Sequence, residues 1–328
     1  AMAATLERGE QVLLFLNRRG FASYPVCGEC GKAVKCKNCD ISLTLHQSAN
    51  AYRCHYCGFS RAAKSRCRAC GSNRIIMLGV GTERVEATVA ELFPQAVVAR
   101  MDSDTTARKG AVVRLLKKLH QGRIDILIGT QMVAKGHDFP NITLVGILCA
   151  DLSLSFPDFR SGGRTFQLLA QVAGRAGRGE RPGKVILQTY NPDHFSITSA
   201  CAQDFKSFYA REIAFRQSLG YPPFTRFVQL RISGKRRENV RAQAEVIGEH
   251  CRRLSTGKQG HGRAIEVLGP IESPMPRIAG RYRRQILVKS GSTAALHRLI
   301  RALQVECGPV FSGRDVRVAV DVDPLFMM

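Results

Sequence analysis

The 328-residue chain contains no tryptophan, and only 26 Asp and Glu stand against 49 Lys and Arg. It has no apolar run near the ~20 residues a bilayer crossing needs, which excludes a transmembrane helix and leaves no membrane partner expected. It also has no G-x-x-x-x-G-K-[ST]. The lysines of "PGKV", "TGKQ" and "SGKR" lack either the glycine before or the hydroxyl after, and no Asp-Glu pair follows to hold Mg²⁺. A phosphate cradle of that kind is therefore excluded from these residues. What is present is 45% apolar content, which argues for a globular chain of about two domains, and a formal charge of +23, which argues for a polyanionic partner, nucleic acid first.

Twelve cysteines stand in the chain, eight of them in four C-x-x-C pairs between 27 and 70. The others, Cys149, Cys201, Cys251 and Cys307, are scattered. A disulfide framework does not collect this way, whereas thiolates of a reducing compartment binding metal do. Two C-x-x-C knuckles complete one tetrahedral Cys₄ zinc site, so four imply two ions. Sequential pairing leaves five residues between knuckles, which is tight. Cross-braced pairing joins 27/30 to 54/57 and 36/39 to 67/70. Nested pairing is preferred: Cys36, Cys39, Cys54 and Cys57 close across a fourteen-residue gap, and Cys27, Cys30, Cys67 and Cys70 close around them. The outer site would then staple the two ends of an insert. Eight thiolates leave no position for water, so both zincs are expected to be structural, and His46 and His55 are expected at the surface. With both ions bound the net charge would be about +19.

With residues 27–74 set aside, strand-like and helix-like stretches alternate. "VLLFLN", "AVVARMD", "DILIGT", "TLVGILCA" and "GKVILQTY" read as strands. "GTERVEATVAELF", "SDTTARKGAVVRLLKKLHQG" and "RTFQLLAQVAGRAGR" read as helices. The pattern predicts an α/β domain with a parallel sheet and ligands at the strands' carboxyl ends. Residues 194–219 read as a helical connector ending at "LGYPPF". Beyond it the order β-α-β-β-α-β predicts an α+β ferredoxin-like domain. The expected division is 1–26 with 75–192, the insert 27–74, a connector 193–225, and a C-terminal domain 226–328.

"IGTQMVAKGHDFP" and "QVAGRAGR" resemble motifs V and VI in lobe 2, the second RecA-like lobe, of superfamily 2 helicases. Two arginines three apart, Arg175 and Arg178, would neutralise charge on a transferred phosphoryl group bound by a partner lobe. Arginine suits this role because it stays charged and offers a bidentate fork. Gln171 lies one helical turn before Arg175, and Gly174 and Gly177 permit close approach to nucleotide or DNA. The plainer reading is a basic helix end favoured by the dipole. The resemblance assigns Gly129 and Thr130 to the DNA backbone, and Gly136 and Asp138 to the nucleotide, a turn cap being the alternative for Asp138.

Eight cysteines within such a lobe, together with "FLNRRGF", "DFRS", "LGYPPF" and "VDVDP", resemble the bacterial replication-restart helicases, the PriA (primosomal protein N′) family. The zinc-bearing competence helicases are the second choice. "SGGR" at 161–164 departs from the expected acidic residue before the arginine. The resemblance implies a C-terminal fragment of an ATP-dependent 3′→5′ DNA helicase of the bacterial cytoplasm, acting at stalled or branched forks and starting primosome assembly. ATP and Mg²⁺ would enter only with the missing lobe 1, so no ATPase is expected from this chain alone. It implies branched and single-stranded DNA as ligands, with Arg18 on the DNA side. Separately, "PRIAGRYRRQ" gathers Arg277, Arg281, Arg283 and Arg284 around Tyr282. Such a patch would put Arg283 and Arg284 on DNA phosphates and stack Tyr282 on a base, a solvated hairpin being the plainer reading. The resemblance also implies primosome proteins and the acidic C-terminal tail of single-stranded DNA-binding protein as partners, with Arg281 and Gln285 on that tail. The alternative is a zinc-stabilised adaptor without catalysis.

Overall fold

The computed structural model describes residues 1–17, 24–46, 49–79, 81–102, 104–133, 139–177, 181–256, 265–311, 313 and 315–327. In chain order its elements begin with α1 (Met2–Glu7), β1 (Gln11–Leu16), β2 (Tyr24–Cys27), β3 (Thr44–His46), β4 (Ala51–Arg53), β5 (Ser60–Ala62) and β6 (Ile75–Leu78). There follow α2 (Thr82–Leu92), β7 (Val98–Met101), α3 (Ala111–His120), β8 (Ile126–Gly129), β9 (Ile142–Leu148), α4 (Asp151–Leu154), α5 (Ser161–Ala173) and β10 (Lys184–Leu187). The last stretch holds α6 (Phe195–Cys201), α7 (Phe205–Ser218), β11 (Arg226–Gly234), α8 (Arg237–Thr256), β12 (Glu266–Ile278), β13 (Arg281–Ser290), α9 (Thr293–Glu306), α10 (Gly308–Phe311) and β14 (Val316–Val322). Two compact units result: residues 1–33, 66–156 and 160–211, and residues 34–65, 157–159 and 212–328. The stretch 27–74 is shared between them.

The first unit carries a five-stranded sheet of order β10-β9-β1-β8-β7, parallel throughout. β1 is central, so "QVLLFL" is buried along its whole length, as an apolar run covered on both faces should be. Phe166, Leu169 and Val172 form the buried stripe of α5 and join Leu13, Phe15, Leu127 and Val145 in the core. α3 begins only at Ala111, later than the capping signal implies. The Asp102 carboxylate accepts from the N–H groups of Asp104 (3.1 Å) and Thr105 (3.0 Å), holding that segment in turns. Gly110 then sits at φ 78, outside helical space. β2 and β6 pair antiparallel, Tyr24 opposite Leu78 and Cys27 opposite Ile75, so the two stems of the cysteine-rich stretch form one ribbon.

In the second unit the sheet order is β12-β13-β11-β14, antiparallel throughout, which is the arrangement a βαββαβ chain adopts in the ferredoxin-like fold. α8 and α9 place Val240, Ala244, Ile247, Leu296, Leu299 and Leu303 against Val228, Leu230, Ile232, Ile286 and Val288. β12 contains Pro270, Pro274 and Pro276, which its edge position tolerates. The other face of the sheet is buried as well. Phe227, Gln229, Gln285 and Leu287 are each no more than 1% exposed. Phe159 meets Phe227 at 5.7 Å between ring centroids and stacks on Tyr221 at 4.9 Å. The expected helix over 194–219 is two helices, because Gln203 takes φ 52 and Asp204 accepts from the Ser207 N–H at 3.0 Å, starting α7 anew.

Candidate functional site

Each of the four knuckles has the same backbone construction. The N–H of the first cysteine donates to the carbonyl five residues on: Cys27 to Lys32 (2.9 Å), Cys36 to Ile41 (2.8 Å), Cys54 to Phe59 (2.8 Å) and Cys67 to Ser72 (2.7 Å). The N–H four residues on donates back to that cysteine's carbonyl, from Gly31, Asp40, Gly58 and Gly71. Those four residues all have positive φ, at 69°, 49°, 76° and 74°. Three glycines and one aspartate fit, since these residue types tolerate the left-handed region. The backbone N–H groups of Asn38, Tyr56 and Ala69 then point at the sulfurs of Cys36, Cys54 and Cys67, each at 3.4 Å.

The sulfurs gather in the nested arrangement. Cys27, Cys30, Cys67 and Cys70 form one group, Cys36, Cys39, Cys54 and Cys57 the other, with all ligand atoms of a group within 4.8 Å of one another. A tetrahedral Zn²⁺ with bonds of ~2.3 Å sets its sulfurs ~3.8 Å apart. Here Cys27–Cys70 is 3.5 Å, Cys30–Cys67 3.7 Å and Cys36–Cys57 3.6 Å. In the inner group, hydrogen bonds among the thiols pull Cys36 down to about 7 and lower Cys57, while the same neighbours raise Cys39 and Cys54. Four adjacent thiolates do not coexist without a cation, so both the spacing and the charge fit a divalent metal. Such an ion, when bound, supplies cross-linking charge and no open coordination position.

The two centres differ in surroundings. The inner ligands Cys36, Cys39 and Cys54 are 2%, 7% and 1% exposed, whereas Cys70 of the outer centre lies at the surface. His55, expected at the surface, is 2% exposed. Its Nδ1 lies 2.8 Å from the Glu272 carbonyl, and its own carbonyl accepts from Gln285 Nε2 at 2.7 Å. Burial lowers its pKa to about 4, so the ring is neutral. At the outer centre a Cβ on Gly31 would stand 2.2 Å from the Tyr190 carbonyl oxygen, whereas one on Gly71 would meet nothing within 4 Å. Gly31→Ala is therefore expected to cost at least ~3 kcal/mol and Gly71→Ala only about 1 kcal/mol. Chemical denaturation of the metal-loaded chain checks this ordering.

The residues expected of the motor lobe fall at opposite ends of the parallel sheet. Asn17, Gly129 and Thr130 lie at the strands' carboxyl ends, and the exit of α5 at their amino ends, where the Gly177 N–H donates to the Ile142 carbonyl at 3.1 Å. Asn17, just past β1, accepts from Gln131 at 2.9 Å and donates to the Ser153 hydroxyl. Gly129 closes β8, and a Cβ there would stand 2.2 Å from Val133 Cγ1, so its own loop demands glycine. The Thr130 N–H reaches the Met101 carbonyl at 3.3 Å. Gln171 is on the exposed side of α5, and Arg175 is half-buried just beyond the helix, after the cap at Gly174. Gly177 (φ 67) makes its close approach to its own chain, where an added Cβ would stand 2.3 Å from the Gly183 nitrogen. Arg181 donates to Glu10 at 3.0 Å, and Arg8 and Thr143 share that carboxylate. Hydrogen bonds from Arg8 and Thr143 hold Glu10 well below the usual carboxylate range. Arg18, Gly136, Asp138 and Arg178 lie outside the described residues.

On the β12–β13 hairpin, Arg281 is half-buried and donates to the Ser233 carbonyl at 3.1 Å, and Arg284 pairs with Glu245 at 2.9 Å. Arg283 is half-buried, and burial together with nearby Arg231 lowers its pKa. Arg277 lies over the Tyr282 ring at 5.2 Å, so one ring face expected to receive a base is occupied. Gln285 departs from its expected role on a partner's tail. At 1% exposure it donates to His55 and accepts from Gln229 at 2.9 Å, because the face of β13 it occupies is covered.

Three family profiles match the chain. They are the helicase conserved C-terminal domain over 67–180, the PriA DNA helicase Cys-rich region domain over 36–61, and the primosomal protein N C-terminal domain over 217–325. The chain belongs to the PriA family. It is similar to the replication restart protein PriA of Bacillus subtilis, at 42% identity over 324 residues, covering 99% of this chain and 40% of the relative. It is also similar to that of Haemophilus influenzae, at 42% identity over 331 residues, covering 98% and 43%. The chain thus spans less than half the length of these PriA relatives. The helicase conserved C-terminal domain profile ends at residue 180, just past "QVAGRAGR". Asn17 and Gln131 lie inside "FLNRRGF" and "IGTQMVAKGHDFP" but were not singled out there, and Glu10 and Arg181 lie in no motif.

Proposed function

We propose that this chain is the second motor lobe, metal-bearing module and C-terminal domain of an ATP-dependent DNA helicase that restarts replication at stalled or branched forks. The observation that supports it most is the "QVAGRAGR" segment leaving α5 of a parallel-sheet domain matched by the helicase C-terminal profile, in a chain whose relatives are replication restart proteins. Arg175 and Arg178 act as arginine fingers toward a γ-phosphate, with Gln171 positioning, Gly136 and Asp138 on the nucleotide, and Gly129, Thr130 and Arg18 on DNA. Glu10 contributes by tying Arg181, three residues past Arg178, to the start of β1. Both Cys₄ centres hold structural Zn²⁺. The stretch 27–74 is a zinc-binding insert of the motor lobe, and 226–328 binds DNA and partners. Arg281, Arg283 and Arg284 present charge to DNA, to the acidic tail of single-stranded DNA-binding protein or to primosome proteins.

Two arginines without a phosphate cradle complete no catalytic site. The 328-residue chain is expected to bind DNA and to show no DNA-stimulated ATP hydrolysis, while the longer protein that includes a P-loop lobe shows it. Turnover by the purified 328-residue chain that disappears with Arg175→Ala would overturn this division of labour. No particular observation favours the adaptor reading over this one.

A further inference from the structure

A groove of about 950 Å³ opens within the second unit, where the inner cysteine module, α8 and the β12–β13 hairpin meet. That volume lies at the upper end for ligand sites. Its lining includes Arg53 of β4, Arg237 and Arg241 of α8, and Arg283 and Arg284 of β13. Two glutamates oppose these five arginines in the lining, and one of them, Glu272, is already held by Arg237 at 2.8 Å. Among the described residues Arg53 and Arg241 carry no ion pair, and both are exposed. His55 also lines the groove. A backbone carbonyl only accepts, so the Nδ1 facing the Glu272 carbonyl carries the proton. His55 Nε2 is then a bare acceptor, and it has no hydrogen-bond partner among the described residues.

We infer that this groove binds the phosphodiester backbone of a single DNA strand, with Arg53 and Arg241 as phosphate contacts that no sequence motif marks. The arginines come from three separate elements. They therefore present a row of cations rather than one focus, which suits regularly spaced phosphates better than a single carboxylate terminus. Apolar side chains also line the groove, among them Ile271, Pro276 and Tyr282, and Tyr282 offers a ring on which a base can stack. Five arginines against two glutamates leave the lining with an excess of cationic charge, which an incoming phosphate offsets. The inference rests on the reading of this chain as a DNA-binding protein.

The test is fluorescence anisotropy of a labelled thymidine oligonucleotide across a salt series, with the metal-loaded wild-type chain, Arg53→Gln, Arg241→Gln and the double variant. Arg301→Gln, on α9 and outside the groove lining, controls for lost charge. Metal content and thermal unfolding verify that each variant is folded. Each groove substitution is expected to weaken binding ~3- to 10-fold and to lower the log–log salt slope by about 0.7, and the control to change neither. Failure of the wild type to bind the oligonucleotide would sink the DNA reading itself. Wild-type binding with unchanged affinity and slope in the double variant would sink the groove alone. So would variants that lose only an acidic peptide competitor.

Discussion

A chelator titrated against the zinc-loaded chain is expected to remove two ions in two separated steps, the outer one first. Ease of release follows exposure. Cys70 of the outer centre is at the surface and Cys30 and Cys67 are half-buried, whereas three inner sulfurs are almost completely covered. The consequences differ as well. Leu43 and Tyr56 of the inner module are fully buried, the Tyr221 hydroxyl donates to the Cys39 carbonyl at 2.6 Å, and Gln285 donates to His55. Losing the inner ion therefore uncovers one face of the C-terminal sheet. Structural zinc is worth an apparent ~10–16 kcal/mol in small peptides, so Cys39→Ser is expected to cost at least ~4 kcal/mol and to unfold that module. Cys70→Ser should cost visibly less. Tyrosine near-UV dichroism reports the inner event through Tyr56 and Tyr221, with no tryptophan signal over it. A single cooperative release, or release of the inner ion first, contradicts this ordering.

Arg175→Ala in the longer protein that includes the P-loop lobe is expected to lower the DNA-stimulated turnover number on the order of 10³-fold, with DNA affinity nearly unchanged. An arginine that meets a transferring phosphoryl group stabilises charge that exists only in the transition state, and removing such a finger is worth 10³–10⁵. Arg175→Lys should remain deeply impaired, since an ammonium retains charge but not the planar fork. Arg175 stands half-buried just past the end of α5, so a purely structural role is the competing account. That account predicts a lower unfolding temperature and turnover reduced less than ~10-fold. The two outcomes separate when thermal unfolding and turnover are measured on the same preparation.

Much of this architecture was legible before the structure. The alternation of strand-like and helix-like stretches yields the parallel sheet, and the βαββαβ order yields the C-terminal sheet strand for strand. The nested cysteine groups were the preferred one of three pairings, for the ribbon-length gap within and the stapled stem outside, and the sulfurs gather that way. What escaped depends on burial by distant residues. Nothing in "RRQILVK" marks both faces of that strand as covered, yet Gln285 and Leu287 are buried as completely as Ile286 and Val288. A module some 230 positions away in sequence covers their face. The same covering buries His55, whose surface placement was inferred only from its not being needed as a ligand. The left-handed residue after each knuckle was visible as Gly31, Gly58 and Gly71, but Asp40 at the fourth position hid the repeat. The late start of α3 was hidden by Asp102, whose carboxylate caps turns rather than a helix.

The metal count of paired cysteine variants tests the centre of this account. Native mass spectrometry of the chain should find two zinc ions in the wild type. The double variant Cys27→Ser with Cys70→Ser should keep one ion, because both residues belong to the outer centre. Two ions lost from that variant would indicate cross-braced or sequential pairing, and one ion or none in the wild type would contradict the two-centre organisation altogether.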